Sequence, residues 1–154
     1  VAIKLSGLAA KAGPFGQGAY SARNILSERK PIMDATTDKL VIVMTKGIDS
    51  ELSSVAFTLA NGAQTAGMEV FVFLTSAAVD LVRRKGHALT HVPPLEPLAS
   101  LVSAFQARGG TIWACPPCVT SRGYEAGDLI DGVEIKGASA MFAEVRAGAA
   151  TLSF

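Results

Sequence analysis

The sequence predicts one α/β domain built on a parallel sheet over residues 39–154, and three observations carry that prediction. Short runs rich in β-branched and aromatic residues alternate with stretches whose apolar residues recur at helical spacing. The short runs are continuously apolar, as expected of strands covered on both faces. Their order, strand then helix then strand, is that of right-handed βαβ crossovers.

The elements follow in turn. Leu40–Met44 is the first strand, and Thr45-Lys46-Gly47 leads away from it. Asp49-Ser50 supplies good N-cap residues. Leu52, Val55, Ala56, Leu59, Ala63 and Ala66 then share one face of a helix that Gly67 ends. Glu69–Leu74 is a second buried strand. A shorter helix follows, closing on Arg83-Arg84-Lys85-Gly86, with cations at the negative end of its dipole and a glycine stop. Pro93-Pro94 opens the next helix, with Leu95, Leu98, Leu101, Val102 and Phe105 on one side and Gly109-Gly110 at its end. Thr111–Ala114 is the third strand and runs straight into Cys115-Pro116-Pro117-Cys118. Val133–Ile135 makes a brief fourth strand, Ser139–Arg146 a helix and Ala150–Phe154 a last strand. No internal repeat is visible.

At 154 residues and a net charge of +1, the chain has room for one domain with a real core. It lacks the basic stripe that nucleic-acid binding needs. The longest apolar stretch, Val70–Val79, is closed by Glu69 and Asp80. It is far short of the roughly 20 residues that span a bilayer as a helix, so no membrane span is expected. Residues 1–38 differ from the rest. Gly13, Gly16 and Gly18 lie in an Ala/Ser-rich background, with Lys4, Lys11 and Arg23 and no acidic residue before Glu28. This composition suits an extended arm or the remnant of an organellar targeting segment. A start at Val1 rather than Met fits processing. Such an arm cannot build a core of its own, so it is expected to lie on the domain or on a neighbouring subunit. The compartment is then cytoplasmic, or plastid or mitochondrial after processing.

The two cysteines make no disulfide framework, and their Cys-x-x-Cys spacing matters more than their number. They sit just past the carboxyl end of a predicted strand, where ligands and catalytic groups gather in such sheets. Val119–Arg122 reads as a helical turn stopped by Gly123, which places Cys118 near a helix start that favours its thiolate. Arg122 adds positive charge one turn on. Four readings compete. A structural zinc needs four ligands, and His87 and His91 lie in a loop rather than a compact knuckle, so they are expected to face solvent. Trp113-Ala114-Cys115-Pro116-Pro117-Cys118 resembles the tryptophan-preceded motif of thioredoxin-like domains. Here, however, the motif follows the third strand, and no proline occurs after Pro117 to face the sulfurs. The pair can also be buried and inert, since free cysteine is often a small core residue. The fourth reading is a reactive thiol that carries persulfide sulfur, and the prolines and the helix start favour it. No metal and no cofactor are expected.

In the order and spacing of several segments, the chain resembles the DsrE/DsrF-like family, including its TusD and YchN branches. The segments are Lys39–Gly47, Phe57–Ala63, Gly67–Leu74, Pro94–Leu98, Cys115–Gly123 and Asp128–Ala138. The resemblance implies a five-stranded parallel sheet between helix layers, a three-layer α/β/α domain. It also implies homo- or hetero-oligomers such as trimers and hexamers, and a sulfur-accepting cysteine in the loop after the third strand. By its distance to Gly123, Cys118 matches that cysteine, with Cys115 as the extra thiol of two-cysteine members. A long N-terminal arm departs from the pattern.

The expected activity is that of a sulfur carrier or sulfurtransferase, passing sulfur from a donor protein to an acceptor protein. Cys118 attacks a donor persulfide and Cys115 resolves the product or closes a disulfide. Thr45 and Gly47, at the end of the first strand, are expected beside the loop as hydroxyl and N–H donors. Trp113 either packs the sheet or shields a sulfur. The alternative is a non-catalytic subunit of a larger complex, docked through residues 1–38, with Phe57 and Met68 as apolar contacts to another subunit.

Overall fold

A computed structural model of the chain describes residues 38–84, 86 and 90–154. The expected N-terminal arm and His87 lie outside the described residues. Five strands, β1 (Lys39–Met44), β2 (Glu69–Leu74), β3 (Thr111–Ala114), β4 (Val133–Ile135) and β5 (Ala150–Ser153), form one parallel sheet in the order β4-β3-β2-β1-β5. Helices α1 (Glu51–Thr65) and α2 (Leu98–Ala107) pack on one face, and α4 (Ala138–Arg146) packs on the other. A five-residue helix, α3 (Pro116–Thr120), sits at the end of β3. A 3-10 helix at Ser76–Val82 follows β2. The three-layer α/β/α architecture is therefore the one expected.

Alternation along the strands divides the core in two. Leu40, Ile42, Met44, Val70, Val72, Leu74, Ile112 and Ala114 point toward α1 and α2, where Phe57 and Phe105 meet edge to face with centroids 5.8 Å apart. Val41, Phe71, Phe73 and Trp113 point toward Met141 of α4. Lys39 anchors α4 across the sheet, its Nζ 2.8 Å from Glu144 Oε2 and 3.3 Å from Glu69 Oε2. No helix among the described residues is long and apolar enough to cross a membrane.

Several local expectations are corrected. Helix α1 buries Ser53, Ala56, Phe57 and Ala60, while Leu52 and Leu59 of the expected stripe are 37% and 45% exposed. Ser53 can face the core because its hydroxyl donates to the Gly47 carbonyl at 2.7 Å. Small side chains on this face let the helix approach closely, and Phe57 fills the space that remains. Phe57 is thus a fully buried core residue, not a subunit contact, and Met68 packs partly buried against the same cluster. Ser50 is the N-cap of α1 by position, but its side chain makes no capping hydrogen bond. Gly67, at φ +89°, ends the helix as expected. Asn61 and Gln64 then tie α1 to α2, donating to the carbonyls of Leu101 (2.9 Å) and Phe105 (3.1 Å).

Two helix boundaries also move. The helix after Pro93-Pro94 begins at Leu98 with Pro97 as N-cap, because the intervening residues form turns. The segment after β2 is 3-10 and ends at Val82, so Arg83 and Arg84 lie beyond it rather than at its dipole. Arg84 instead spans to the next loop, bonding the Gly127 carbonyl and Asp131.

Candidate functional site

The sheet register sets the site. Met44, Leu74 and Ala114 end β1, β2 and β3 at one level. The residues that follow, Thr45, Thr75 and Cys115, therefore share one rim at the carboxyl ends of the strands. Thr75 N–H donates to the Met44 carbonyl at 2.9 Å, and Cys115 N–H donates to the Leu74 carbonyl at 2.9 Å. Because β2 lies between β1 and β3, the loop after β2 is the neighbour of the cysteine loop.

Pro116 and Pro117 occupy the first turn of α3, where missing N–H groups cost nothing, and Cys115 is its N-cap. Cys118 lies in that first turn, α3 ends at Thr120, and the chain turns away at Gly123 with φ +68°. Both cysteines are free and half-buried. Cys115 packs against the cluster containing Trp113 and Phe71, whereas Cys118 packs against the opposite cluster with Val119. The pair therefore straddles the rim of the sheet.

Cys118 Sγ accepts the Ser76 N–H at 3.1 Å and lies 3.4 Å from Thr75 Oγ1. Against a thiolate the hydroxyl is the donor. The thiol is pulled below the ordinary cysteine range chiefly by the Thr75 hydroxyl. Partial burial opposes this, and the Ser76 N–H, the Cys115 thiol and lastly the Arg122 charge reinforce it. Donors to the charged form thus outweigh desolvation.

Arg122 reaches back to its own helix, Nη1 bonding the Cys118 carbonyl at 3.2 Å, and its Nε lies 3.2 Å from Asp80 Oδ1. Tyr124 donates to the same Asp80 oxygen at 3.0 Å. Burial first, and Asp80 second, push the Tyr124 phenol up, so it remains a donor. Asp80 belongs to the 3-10 helix that begins at Ser76, so this segment holds the turn that follows α3 through both residues.

The other expected residues lie elsewhere. The Thr45 hydroxyl and N–H both donate to the Phe154 carbonyl at 2.8 Å, capping the β5 side of the sheet. Gly47 is buried in the β1 loop, and a Cβ there would lie 3.2 Å from Ala77 Cβ, so it backs the β2 loop without reaching the sulfur. Trp113 stacks on Phe71 with centroids 5.0 Å apart, and Lys136 Nζ lies 5.7 Å from its ring centroid. It packs the sheet beside Cys115. His91 is exposed in the loop before α2. Thr75 and Ser76, the sulfur's actual partners, escape sequence reading because they sit inside the apolar stretch Val70–Val79. The available signal was a hydroxyl pair directly after the second buried strand.

A family model of the DsrE/DsrF-like family matches residues 38–154, and the chain belongs to that family. Its fold is shared by the YchN protein of E. coli, at 24% identity over 75% of this chain and 98% of that one, with a TM-score of 0.63. A protein of unknown function from Bacteroides thetaiotaomicron matches at 20% identity over 79% of this chain and 100% of that one, with a TM-score of 0.59. One from Methanobacterium thermoautotrophicum matches at 18% identity over 75% and 98%, with a TM-score of 0.58. No curated protein matches the chain.

Proposed function

We propose that this protein is a sulfur carrier that holds sulfane sulfur on Cys118 as a persulfide and passes it to a partner protein. The observation that carries this reading is the sulfur of half-buried Cys118, facing the Ser76 N–H at 3.1 Å and the Thr75 hydroxyl at 3.4 Å. In the loading step, the Cys118 thiolate attacks the outer sulfur of a donor persulfide. The donor S–S bond breaks, the donor leaves as its thiolate, and Cys118 becomes a persulfide with no net oxidation. In discharge, an acceptor thiolate attacks the outer sulfur and Cys118 leaves as thiolate. Alternatively, the Cys115 thiolate attacks Cys118 Sγ, forming the Cys115–Cys118 disulfide and releasing hydrosulfide. An external dithiol then resets the pair by supplying two electrons.

The donor and acceptor are partner proteins, and an oligomer of the trimer or hexamer kind is the expected assembly. Incubation with a low-mass persulfide donor, followed by intact and peptide mass spectrometry, tests the reading. The expected result is a reductant-labile gain of one sulfur mapped to Cys118. An unchanged mass overturns it.

A second reading, a non-catalytic subunit of a larger complex, is supported by a different surface. Phe142 on α4 and Leu152 on β5 are 56% and 42% exposed beside a groove of about 330 Å³ lined also by Val43, Met141 and Val145. Apolar side chains left together in this way mark contact surfaces. On that reading, the mass experiment yields no sulfur on either cysteine.

A further inference from the structure

We propose that Thr75 and Ser76 form a donor cradle that makes Cys118, rather than Cys115, the nucleophile of the pair. This deepens the persulfide reading and rests on it for its biological use, but its geometry stands by itself. The two thiols lie on one short loop, and their surroundings distinguish them. Cys118 Sγ has two donors from a single neighbouring loop, whereas Cys115 packs half-buried beside the apolar cluster of Trp113 and Phe71, and that loop's donors face only Cys118. A thiolate is favoured where donors meet it.

The cradle is held in place by its anchors. Thr75 is pinned by its N–H to the Met44 carbonyl at 2.9 Å, and the Ala78 N–H closes a turn on the Thr75 carbonyl at 3.1 Å. Within that turn Ser76 has φ +53°, and it is the non-glycine residue of positive φ among the described residues. Such a conformation persists where the surroundings impose it, and it clusters at functional sites. Here the residue that bears it is the one whose N–H meets the sulfur. Behind it Gly47 allows the β1 loop to close on Ala77, within 3.2 Å of where a Cβ would stand. Asp80, on the same 3-10 helix, holds Arg122 and Tyr124, which ties the turn after α3 to the segment that carries the donors.

The cradle also fits the chemistry of transfer. During loading it stabilises the attacking thiolate. During discharge Cys118 departs as a thiolate, and a better-stabilised leaving group leaves faster. Both steps gain from donors aimed at the inner sulfur.

The test compares wild type, Thr75→Val and Thr75→Ser in the full chain, reading the pH profile of iodoacetamide alkylation at each cysteine by peptide mass spectrometry. In wild type, Cys118 is expected to alkylate before Cys115 at neutral pH. Thr75→Val, which keeps the branched shape and removes the hydroxyl, is expected to raise the Cys118 midpoint by about one pH unit and slow its neutral-pH alkylation roughly ten-fold. Thr75→Ser is expected to restore most of the loss. An unchanged Cys118 profile in Thr75→Val, or faster alkylation of Cys115 in wild type, overturns the cradle. Sulfur loading measured on the same samples separates the two ideas. If wild type takes up no sulfur while the alkylation profiles follow expectation, the carrier reading fails and the cradle stands. If sulfur loads but Thr75→Val alkylates like wild type, the cradle alone fails.

Discussion

Cys118→Ser is expected to abolish sulfur uptake, lowering the loading rate at neutral pH by more than about a hundred-fold, because a serine hydroxyl supplies no comparable nucleophile. Cys115→Ser is expected to load within a few-fold of wild type, since Thr75 and Ser76 still face the Cys118 sulfur. Its persulfide should then survive longer, because the neighbouring thiol that resolves it is gone. Rapid-quench mass spectrometry of the two variants after mixing with a persulfide donor checks both halves. Equal loading of Cys118→Ser and wild type would move the chemistry to Cys115 or off the loop altogether.

Phe57→Ala is expected to have the largest effect on stability, a loss of about 3–5 kcal/mol. Its ring is wholly buried and meets Phe105 edge to face, so truncation leaves a cavity between α1, α2 and the sheet. That is a large part of the roughly 5–15 kcal/mol that holds a domain together. Leu59→Ala, on the same helix but 45% exposed, is expected to change stability by no more than about 0.5 kcal/mol in the isolated subunit. Urea unfolding of the two variants decides which face of α1 is the core. A greater loss in Leu59→Ala would restore the apolar-stripe assignment that the structure overturns.

The sheet was legible because β1, β2 and β3 are covered on both faces, and a strand so covered must be continuously apolar. The faces of α1 were not. Its contact with the sheet is made by Ser53, Ala56, Phe57 and Ala60, and a buried serine with a satisfied hydroxyl carries no hydrophobic signal. Meanwhile Leu52 and Leu59 look like core residues and are not. The segment after β2 misled for a related reason: a helical tendency in Ala77–Val82 is realised as 3-10, which shifts Arg83 and Arg84 out of its last turn.

At the site, the sulfur pair, its place at a strand end and the helix start beyond it were readable, because prolines and glycine punctuate them. The donors were not. Identifying Thr75 and Ser76 requires knowing that β2 separates β1 from β3, and that neighbour relation is a property of the sheet, absent from any single stretch of residues. Thr45 has the right chemistry and the right level on the rim, but one strand too far away, where it caps Phe154 instead. Arg122 bonds the Cys118 carbonyl through Nη1, and its Nε pairs with Asp80, so its charge is shared between the two.

Hydrogen bonds to the charged form favour ionisation, so the Cys118 thiolate fraction at neutral pH is expected to exceed that of an ordinary cysteine. Ultraviolet absorbance of the thiolate, followed across pH in the Cys115→Ser protein, measures it on one sulfur at a time. The expected midpoint lies below the value of an ordinary cysteine. A midpoint at or above that value would show that the β2 loop does not ionise Cys118, and a sulfur carrier built on this thiolate would be contradicted.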